Sequence, residues 1–319
     1  MKGYLLRRLA YLVPVLVGIS LLAFGLGRLA PGDPARDVIA RTTGHQPTHR
    51  EVLAERHRLG LDRGPAVQYL SWVGHAVRGD LGISYTSGEP VARAIGDTLP
   101  LTLELAAAAF LLSLLLGVPL GLLAAARSWS WVDHAVRTVA LVGASVPGFW
   151  VAYLLILAFS VHLHVFPPFG TGGLSHLVLP AVTLALFDIA LLARLTRAAV
   201  LETLGEDHVR TARAKGLAER RVLVMHALRP ALIPLVTWSG MSFGYLLGYS
   251  VVVETVFAWP GLGYTAVLAI QARDYPFIQA FALVMAVVFV GLNLAVDLLY
   301  PHIDPRTSFS SAQSSADEG

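Results

Sequence analysis

Histidines, carboxylates and bases are the side chains of this sequence that could do chemistry, and their spacing limits what that chemistry is. Cysteine is absent from all 319 residues, which excludes disulfides, thiolate metal sites and cysteine nucleophiles. His162 and His164 stand two positions apart in "VHLHVFPPFG", with no carboxylate nearby. Such a pair makes a poor closed metal site, and we interpret both as interfacial histidines rather than metal ligands. The sequence has no H-E-x-x-H pair and no G-x-x-x-x-G-K-[ST] phosphate loop, so we expect no catalytic residues, no cofactor and no metal site.

A few acidic and amide side chains fall in or beside long apolar stretches, where burial is expensive and a functional role is the default expectation. Glu104 either lines a path through a membrane or is a solvated residue near a helix end, and the sequence leaves both open. Asp188 and Arg194 are six positions apart, so they do not share a helix face closely enough to be assumed a pair. Asn293 and Asp297 are four apart and do share a face. We favour a hydrogen bond between helices for these two over contact with a solute.

The elements that must position these residues are membrane-spanning helices. Hydrophobic residues make up 55% of the chain and charged residues only 14%, whereas an ordinary soluble domain has about 25% charged residues. About 20 apolar residues cross a bilayer as a helix, because backbone polar groups in lipid must be paired internally. Six stretches meet this description: Leu9–Leu29, Leu99–Ala126, Val136–Val161, Leu177–Ala193, Leu232–Val256 and Ile278–Tyr300. The first is too long for the core of a signal peptide, so we expect it to be an uncleaved span.

The distribution of lysine and arginine places both termini on the cytoplasmic side. One set of short loops carries most of the bases, and the opposite short loops carry only Arg273. Residues 31–98, between the first two spans, hold eight arginines and eight carboxylates. Long segments translocate largely regardless of charge, so this one is expected to be external. Two amphipathic helices are predicted in it, in "THREVLAERHRLGLD", ending at Gly60, and in "PAVQYLSWVGHAVRGDLG", with irregular chain after them.

A second external segment, "TVFAWPGLGYTAVLAIQARDYPF", combines a Pro-Gly turn with several aromatic residues. A short helix is predicted over Tyr264–Gln271. We favour the interpretation of Phe257, Trp259, Tyr264 and Tyr275 as anchors at the membrane surface. An outer gate or a contact with a binding protein is the alternative for the same residues.

The basic loop between the fourth and fifth spans, residues 194–230, has the pattern of a compact helix–glycine–helix unit. After Leu204-Gly205, carboxylates open a short helix and bases close it, as the helix dipole favours, and Gly216 stops it. A second helix is predicted from Glu219 to Leu228, ending at Arg229-Pro230. In the first helix, Val209 and Ala212 lie between bases, which suggests a narrow helix that seats in a groove of another protein. The alternative is that the positive-inside bias alone makes the loop basic.

The sequence of this loop, "GEDHVRTARAKGL…HALRPALIP", resembles the coupling loop of ATP-binding-cassette (ABC) importer permeases, in the branch of the dipeptide, oligopeptide and nickel permeases. Arg210-Thr211-Ala212 stand where the motif has E-A-A, and only Ala212 matches its letters. Gly216 stands at the motif glycine, and Pro230 lies one place later than the general pattern. Other segments are similar to the same branch, in the same order and over nearly the whole chain: "LLRRL…PVLVGISLLAF…LAPGDP", "LGLD…GDLGIS", "TLELA", "SVPGFW", "ETVFAWPGLG", "RDYP" and "NLAVDLLY".

The resemblance implies an all-α polytopic membrane protein with six transmembrane helices and the type I ABC importer permease fold. It implies a passive half-channel in the cytoplasmic (inner) membrane of a prokaryote. The implied partners are a second homologous permease subunit, two cytoplasmic ABC ATPase subunits, an extracytoplasmic solute-binding protein and membrane lipid, with no nucleic acid. Short peptides are the favoured cargo, nickel or another small solute is the alternative, and a stand-alone secondary transporter is the alternative from another class.

The resemblance also implies how the chain is divided and which residues couple it to the ATPases. Residues 1–94 hold the first span and the external amphipathic segment, 95–301 the permease domain with the coupling loop 194–230, and 302–319 a disordered cytoplasmic tail. The residues implied for coupling are Glu206, Asp207, Val209, Arg210, Thr211, Ala212, Arg213, Ala214, Lys215, Gly216 and Leu217.

Overall fold

A computed structural model describes residues 2–29 and 33–303. Within these ranges the chain is helical without a β-strand, and one isolated antiparallel bridge joins Ile83 to Pro90. The helices are α1 (Lys2–Leu29), α2 (Pro34–Thr43), α3 (His49–Arg58), α4 (Pro65–Ala76), α5 (Val91–Ala126), α6 (Trp131–Ser145), α7 (Gly148–Leu155), α8 (Leu174–Leu204), α9 (Asp207–Ala214), α10 (Glu219–Arg221), α11 (Arg229–Val256), α12 (Leu262–Gln271) and α13 (Tyr275–Ile303). Two π-helical segments, Ile156–His162 and Val222–Leu228, continue α7 and α10. From residue 304 onward, the predicted tail lies outside the described chain.

Helices cover all six predicted spans. Four runs are long and apolar enough to cross a membrane on their own, namely α5, α8, the run Glu219–Val256 and α13 over Tyr275–Ala295. A bent helix pair that begins with α6 makes a fifth. The first predicted span falls on α1, a helix of 28 residues whose apolar part with described side chains is Val13–Gly25.

The predicted third span, Val136–Val161, is not one straight helix. α6 ends at Ser145, and the pair Trp131–Ser145 and Gly148–His162 is bent by 104°. Pro147 causes the break, because the residue before a proline is pushed out of the α region. Val146 accordingly has φ −83° and ψ 130°. The motif "SVPGFW" is therefore a corner in the chain.

The external segment contains three short helices where two were predicted. α3 and α4 match the predicted pair, and Gly60 after α3 has a φ of 68°, as expected for a glycine stop. α2 is the additional helix. Its signals were present in the sequence: the Asp33 side chain accepts from the Ala35 amide at 3.2 Å, Pro34 opens the helix, and Gly44 ends it with a φ of 71°.

The fold consists of two compact units. One comprises Met1–Leu101 and Pro260–Gly291, and the other comprises Thr102–Trp259 and the chain from Leu292. The first unit thus combines the external segment with α12 and the start of α13. Its core joins Val91 and Ile95 of α5 to Leu262 of α12 and Phe277 of α13. The predicted division at residues 94 and 301 stays a prediction.

In the second unit, α8 is the central helix. It packs against α6, α7 and α11, and it passes α5 at very close range. A Cβ atom on Gly121 of α5 would meet the Ala193 carbonyl oxygen, and it would lie 2.5 Å from Cβ of Thr196. Glycine at this position therefore allows the backbones of α5 and α8 to touch.

Candidate functional site

The basic loop folds into the predicted helix–glycine unit. α8 ends at Leu204, Gly205 follows as its cap, and α9 runs over Asp207–Ala214 with Glu206 as the residue before it. Gly216 has a φ of 74°, a left-handed backbone that favours glycine. The prediction from the charge pattern is confirmed for the position of this helix and for its stop.

The inner face of α9 is apolar and buried. Val209 is fully buried and Ala212 is 4% exposed, and both pack on Val222, with Leu204 and Leu217 beside them. A helix as short as α9 is not stable without burying an apolar face, and these two side chains form that face; the expectation that the helix seats in a groove of another protein stays a prediction. Its apolar face is buried against its own chain.

The outer face of α9 carries the charged side chains. Arg210 and Thr211 are exposed there, and Arg210 lies 3.3 Å from Asp207. Arg213 forms two bonds with Glu219 across the glycine turn, Nη2 to Oε1 at 2.6 Å and Nε to Oε2 at 3.2 Å. This hydrogen bonding raises the pKa of Arg213 above its usual value. The pair ties the end of α9 to the start of the next helix.

Gly216 is constrained by its backbone and not by its surroundings. A Cβ atom at this position would meet nothing within 4 Å, so the space around the residue does not require glycine. The constraint is the positive φ, which costs an L-amino acid about 1–2 kcal/mol. Lys215 and Ala214, before it, are exposed, which leaves this turn open to solvent.

The second helix of the unit does not end at Arg229-Pro230. α10 passes through the π-helical turns Val222–Leu228 directly into α11. Pro230 sits in the first turn of α11, where the missing N–H of proline is tolerated. His208 of α9 lies with Nε2 3.1 Å from the carbonyl oxygen of His226 in these turns. The unit is therefore joined to a spanning helix at each end, α8 before it and α11 after it.

A buried ion pair fixes α8 just before the unit. Asp133, in the first turn of α6, has a fully buried side chain, and Arg197 of α8 is 19% exposed. Arg197 donates through Nε at 2.6 Å and through Nη2 at 2.7 Å, and the Trp129 amide donates to the same carboxylate at 3.0 Å. Sequence reasoning counted Arg197 only as a loop base. An Asp in the first turn of α6 was the signal for its partner.

Asp188 is part of a polar cluster that joins three spanning helices. Ser113 of α5 donates to it at 2.6 Å, and the Trp238 indole of α11 donates at 2.9 Å. Asp188 is only 4% exposed, and Arg194 is not its partner, as the spacing predicted. About three turns earlier on α5, Thr102 donates to the fully buried Glu254 of α11 at 2.7 Å. An acidic residue in an apolar run was the only signal for Glu254.

The remaining candidates in the spans are less well supported by contacts. Glu104 has an exposed side chain, unlike Thr102 two residues before it, and its role as a path residue or a solvated one stays a prediction. Asn293 is half-buried in α13. The side chain of Asp297 lies outside the described residues. The proposed hydrogen-bond role of these two stays a prediction.

Three of the four aromatic residues of the second external segment are buried, contrary to expectation. Phe257 and Trp259 are 1% and 2% exposed, and Tyr275 is 7% exposed, so these rings pack inside the protein and are not anchors at a lipid surface. His162 and His164 are exposed, and the described part of the chain contains no cluster of ligands that could hold a metal ion. α12 confirms the predicted helix over Tyr264–Gln271, starting two residues earlier.

Asp274, in "RDYP", is a buried hub that sequence reasoning did not single out. It is 2% exposed and accepts from the Ser84 hydroxyl and from the amides of Tyr85 at 3.1 Å and Thr86 at 3.3 Å. These contacts attach the irregular chain before α5 to the start of α13. Burial above all, and then the neighbouring Asp274 charge, raise the pKa of Tyr85 to about 12.

Comparisons with known proteins agree on one family. The family described as "Binding-protein-dependent transport system inner membrane component" matches residues 117–309, and its N-terminal counterpart matches residues 1–106. The chain is 41% identical to a di/tripeptide transport system permease protein of Pseudomonas aeruginosa, covering 96% of this chain and 98% of the relative. It is 39% identical to a dipeptide transport system permease protein of Escherichia coli, with the same coverage. A solved structure of the MetNI methionine ABC transporter has a TM-score of 0.55 at 21% identity, over 66% of this chain and 95% of that one, which supports the fold alone.

Proposed function

The chain belongs to the family of binding-protein-dependent transport system inner membrane components, and on that premise we propose that it is the permease subunit of an ATP-driven importer of short peptides. Its relatives of similar length are named for dipeptide and di/tripeptide transport, which supports peptide cargo. In this proposal the chain forms one half of the translocation path. A second, homologous permease subunit forms the other half, and an extracytoplasmic solute-binding protein delivers the peptide.

The observation that carries the coupling part of the proposal is the two-sided character of α9. Its apolar face is anchored on Val222 of the same chain, and its charged face is open to solvent. A helix held in this way presents a fixed, polar surface to a partner. We assign this surface, from Glu206 to Leu217, to contact with a cytoplasmic ATPase subunit.

Movement of α9 would pass to the spanning helices through the contacts at both ends of the unit. Gly205 alone separates α8 from the residues that open α9, and the contact between His208 and His226 holds α9 on the turns that lead into α11. The ion pair of Arg197 with Asp133 extends the same connection to α6. A rigid-body shift of α9 would therefore displace three spanning helices together, which is the kind of two-state movement that alternating access requires.

ATP hydrolysis belongs to the separate ATPase subunits in this proposal. The sequence has no G-x-x-x-x-G-K-[ST] phosphate loop, and such a loop supplies the backbone amides and the lysine that hold nucleotide phosphates in these ATPases. The role of the chain is then to bind, move and open, without forming or breaking covalent bonds.

Reconstitution into proteoliposomes tests the proposal. Uptake of a radiolabelled dipeptide is expected only when the chain is combined with its second permease, its ATPases, its binding protein and ATP. Accumulation of the dipeptide by the chain alone, driven by an ion gradient, would show a secondary transporter instead. Uptake of nickel but not of dipeptide by the complete system would leave the architecture standing and refute the cargo.

Variants of Gly216 test the role of α9 in the same system. Gly216→Val forces a β-branched residue into positive φ, where such residues are outliers, whereas asparagine is several-fold enriched there. We expect Gly216→Val to insert into the membrane but to lose most ATP-driven uptake, and Gly216→Asn to stay near wild type. Equal uptake by both variants would mean that the shape of this turn does not matter for coupling.

A further inference from the structure

A cleft lies within the first compact unit, the one that comprises Met1–Leu101 and Pro260–Gly291. Its volume is about 770 Å³, within the range of about 300–1,000 Å³ typical of small-molecule sites. α1, the turns around α3 and α4, and the first turn of α13 form its walls.

Two hydrogen-bond donors point to a missing acceptor in this cleft. Both Tyr275 and Trp72 line it. The Tyr275 hydroxyl and the Trp72 indole N–H are buried and have no hydrogen-bond partner among the described residues. Tyr275 as a whole is 7% exposed. A buried polar group without a partner costs about 1–3 kcal/mol, so an acceptor that reached both groups would be held firmly.

The charge of the lining favours an anionic acceptor. Four arginines line the cleft, against the carboxylates of Asp33 and Asp80. Among the described residues, Arg28 donates only to the neutral Gln68 amide, at 3.1 Å, and Arg63 forms no ion pair. The other two arginines are engaged, Arg58 with Glu55 at 2.5 Å and Arg56 with Asp33 at 3.9 Å.

The cleft has an apolar wall, which α1 forms near the point where this helix leaves the membrane. α1 ends at Leu29 and α13 begins at Tyr275, so the cleft lies at the external end of two spans, given the orientation read from the basic loops. Phe24 lies 5.6 Å from Tyr69 and 6.4 Å from Trp72, measured between ring centroids. Leu21, one turn before Phe24 on the same side of α1, is 50% exposed. An apolar surface thus runs from the cleft down the outside of α1.

We propose that this cleft binds the headgroup phosphate of an anionic phospholipid from the outer leaflet. Arg28 and Arg63 pair with the phosphate, Tyr275 and Trp72 donate hydrogen bonds to its ester and glycerol oxygens, and the acyl chains follow the apolar surface of α1. Guanidinium groups suit phosphate because they donate in a planar fork. The apolar wall distinguishes a lipid from free phosphate, which would gain nothing from it.

Native mass spectrometry of the purified full chain in detergent provides the test. Phosphatidylglycerol is titrated into delipidated protein, with phosphatidylcholine and inorganic phosphate as separate probes. We expect phosphatidylglycerol to bind more tightly than either. The double variant Arg28→Gln/Arg63→Gln is expected to weaken its binding about 25-fold, because each base near a membrane surface contributes about fivefold. Arg50→Gln/Arg78→Gln, which removes two exposed bases outside the cleft, is the matched control and should bind as the wild type does.

Tyr275→Phe keeps the test decisive if the double variant fails to fold, because it removes one oxygen from a well-packed ring. It should weaken phosphatidylglycerol binding without changing the melting temperature. Equal binding of both lipids, or unchanged binding in both cleft variants, would overturn the proposal. Inorganic phosphate binding as tightly as phosphatidylglycerol would show a free-anion site. Loss of binding-protein affinity in the double variant, with lipid binding unchanged, would show a protein-docking surface.

Discussion

Replacing Arg197 by methionine tests how far the protein depends on the buried pair between α6 and α8. The Asp133 carboxylate has no exposed surface, so the variant leaves a charge in the helix contact with only the Trp129 amide as partner. Breaking a buried pair from one side costs about 3–5 kcal/mol. Arg197 keeps some contact with solvent, so we expect the free energy of unfolding to fall by about 3 kcal/mol, the low end of that range. Methionine retains most of the apolar stem of arginine, so packing changes little.

The free energy of unfolding, measured by SDS titration in mixed micelles, gives this loss directly. The double variant Asp133→Leu/Arg197→Met removes both charges and should be more stable than Arg197→Met, since the cost arises from the orphaned carboxylate and not from the missing attraction. Together with the single variant Asp133→Leu, these measurements give a coupling energy for the pair. A loss below about 1 kcal/mol in the single variant would place the pair among exposed salt bridges. A double variant no more stable than the single one would refute the reasoning from burial.

Two further predictions concern packing and attachment. Gly121→Ala should destabilise the protein by about 1–3 kcal/mol, the usual cost of overpacking, because its Cβ would meet the Ala193 carbonyl. Gly248→Ala is the control, because nothing lies within 4 Å of a Cβ at that position. Equal melting temperatures for the two variants would contradict the close α5–α8 contact. Asp274→Ala leaves the Tyr85 amide without its acceptor and the Thr86 amide with only the Ser84 hydroxyl, at 3.2 Å. It should make residues 83–90 much more sensitive to protease added to purified protein, whereas Asp62→Ala, at an exposed site, should not. Equal cleavage rates would show that Asp274 does not hold this segment.

Local features of the sequence carried much of the prediction. Apolar length predicted the spans, apolar residues at helical spacing predicted α3 and α4, and Gly60 predicted the end of α3. In the basic loop, Gly205 and Gly216 marked both ends of α9, because glycine stops and charge–dipole preferences act within a turn or two of chain. α2 has the same kind of signals in Asp33, Pro34 and Gly44, so its position is also encoded locally.

The predictions were wrong where burial depends on residues distant in sequence, and where a proline inside an apolar run breaks a helix. Pro147 turns the third predicted span into a corner, since a proline in a long apolar run restricts the residue before it. Phe257 and Trp259 were expected at a lipid surface because aromatic residues often lie there, but their burial depends on the chain packed around them. No local pattern distinguishes these two environments.

The sequence by itself determined that this chain is a helical membrane protein and where its basic loop carries a helix ended by glycine. Apolar composition and backbone preference are properties of short stretches, and they act before the chain has packed. Only the tertiary structure decided that Val209 and Ala212 face inward, that Asp133 pairs with Arg197, and that Asp188 joins three helices. The partner of a buried side chain is set by how helices far apart in sequence lie against each other, and spacing along one helix does not contain that information.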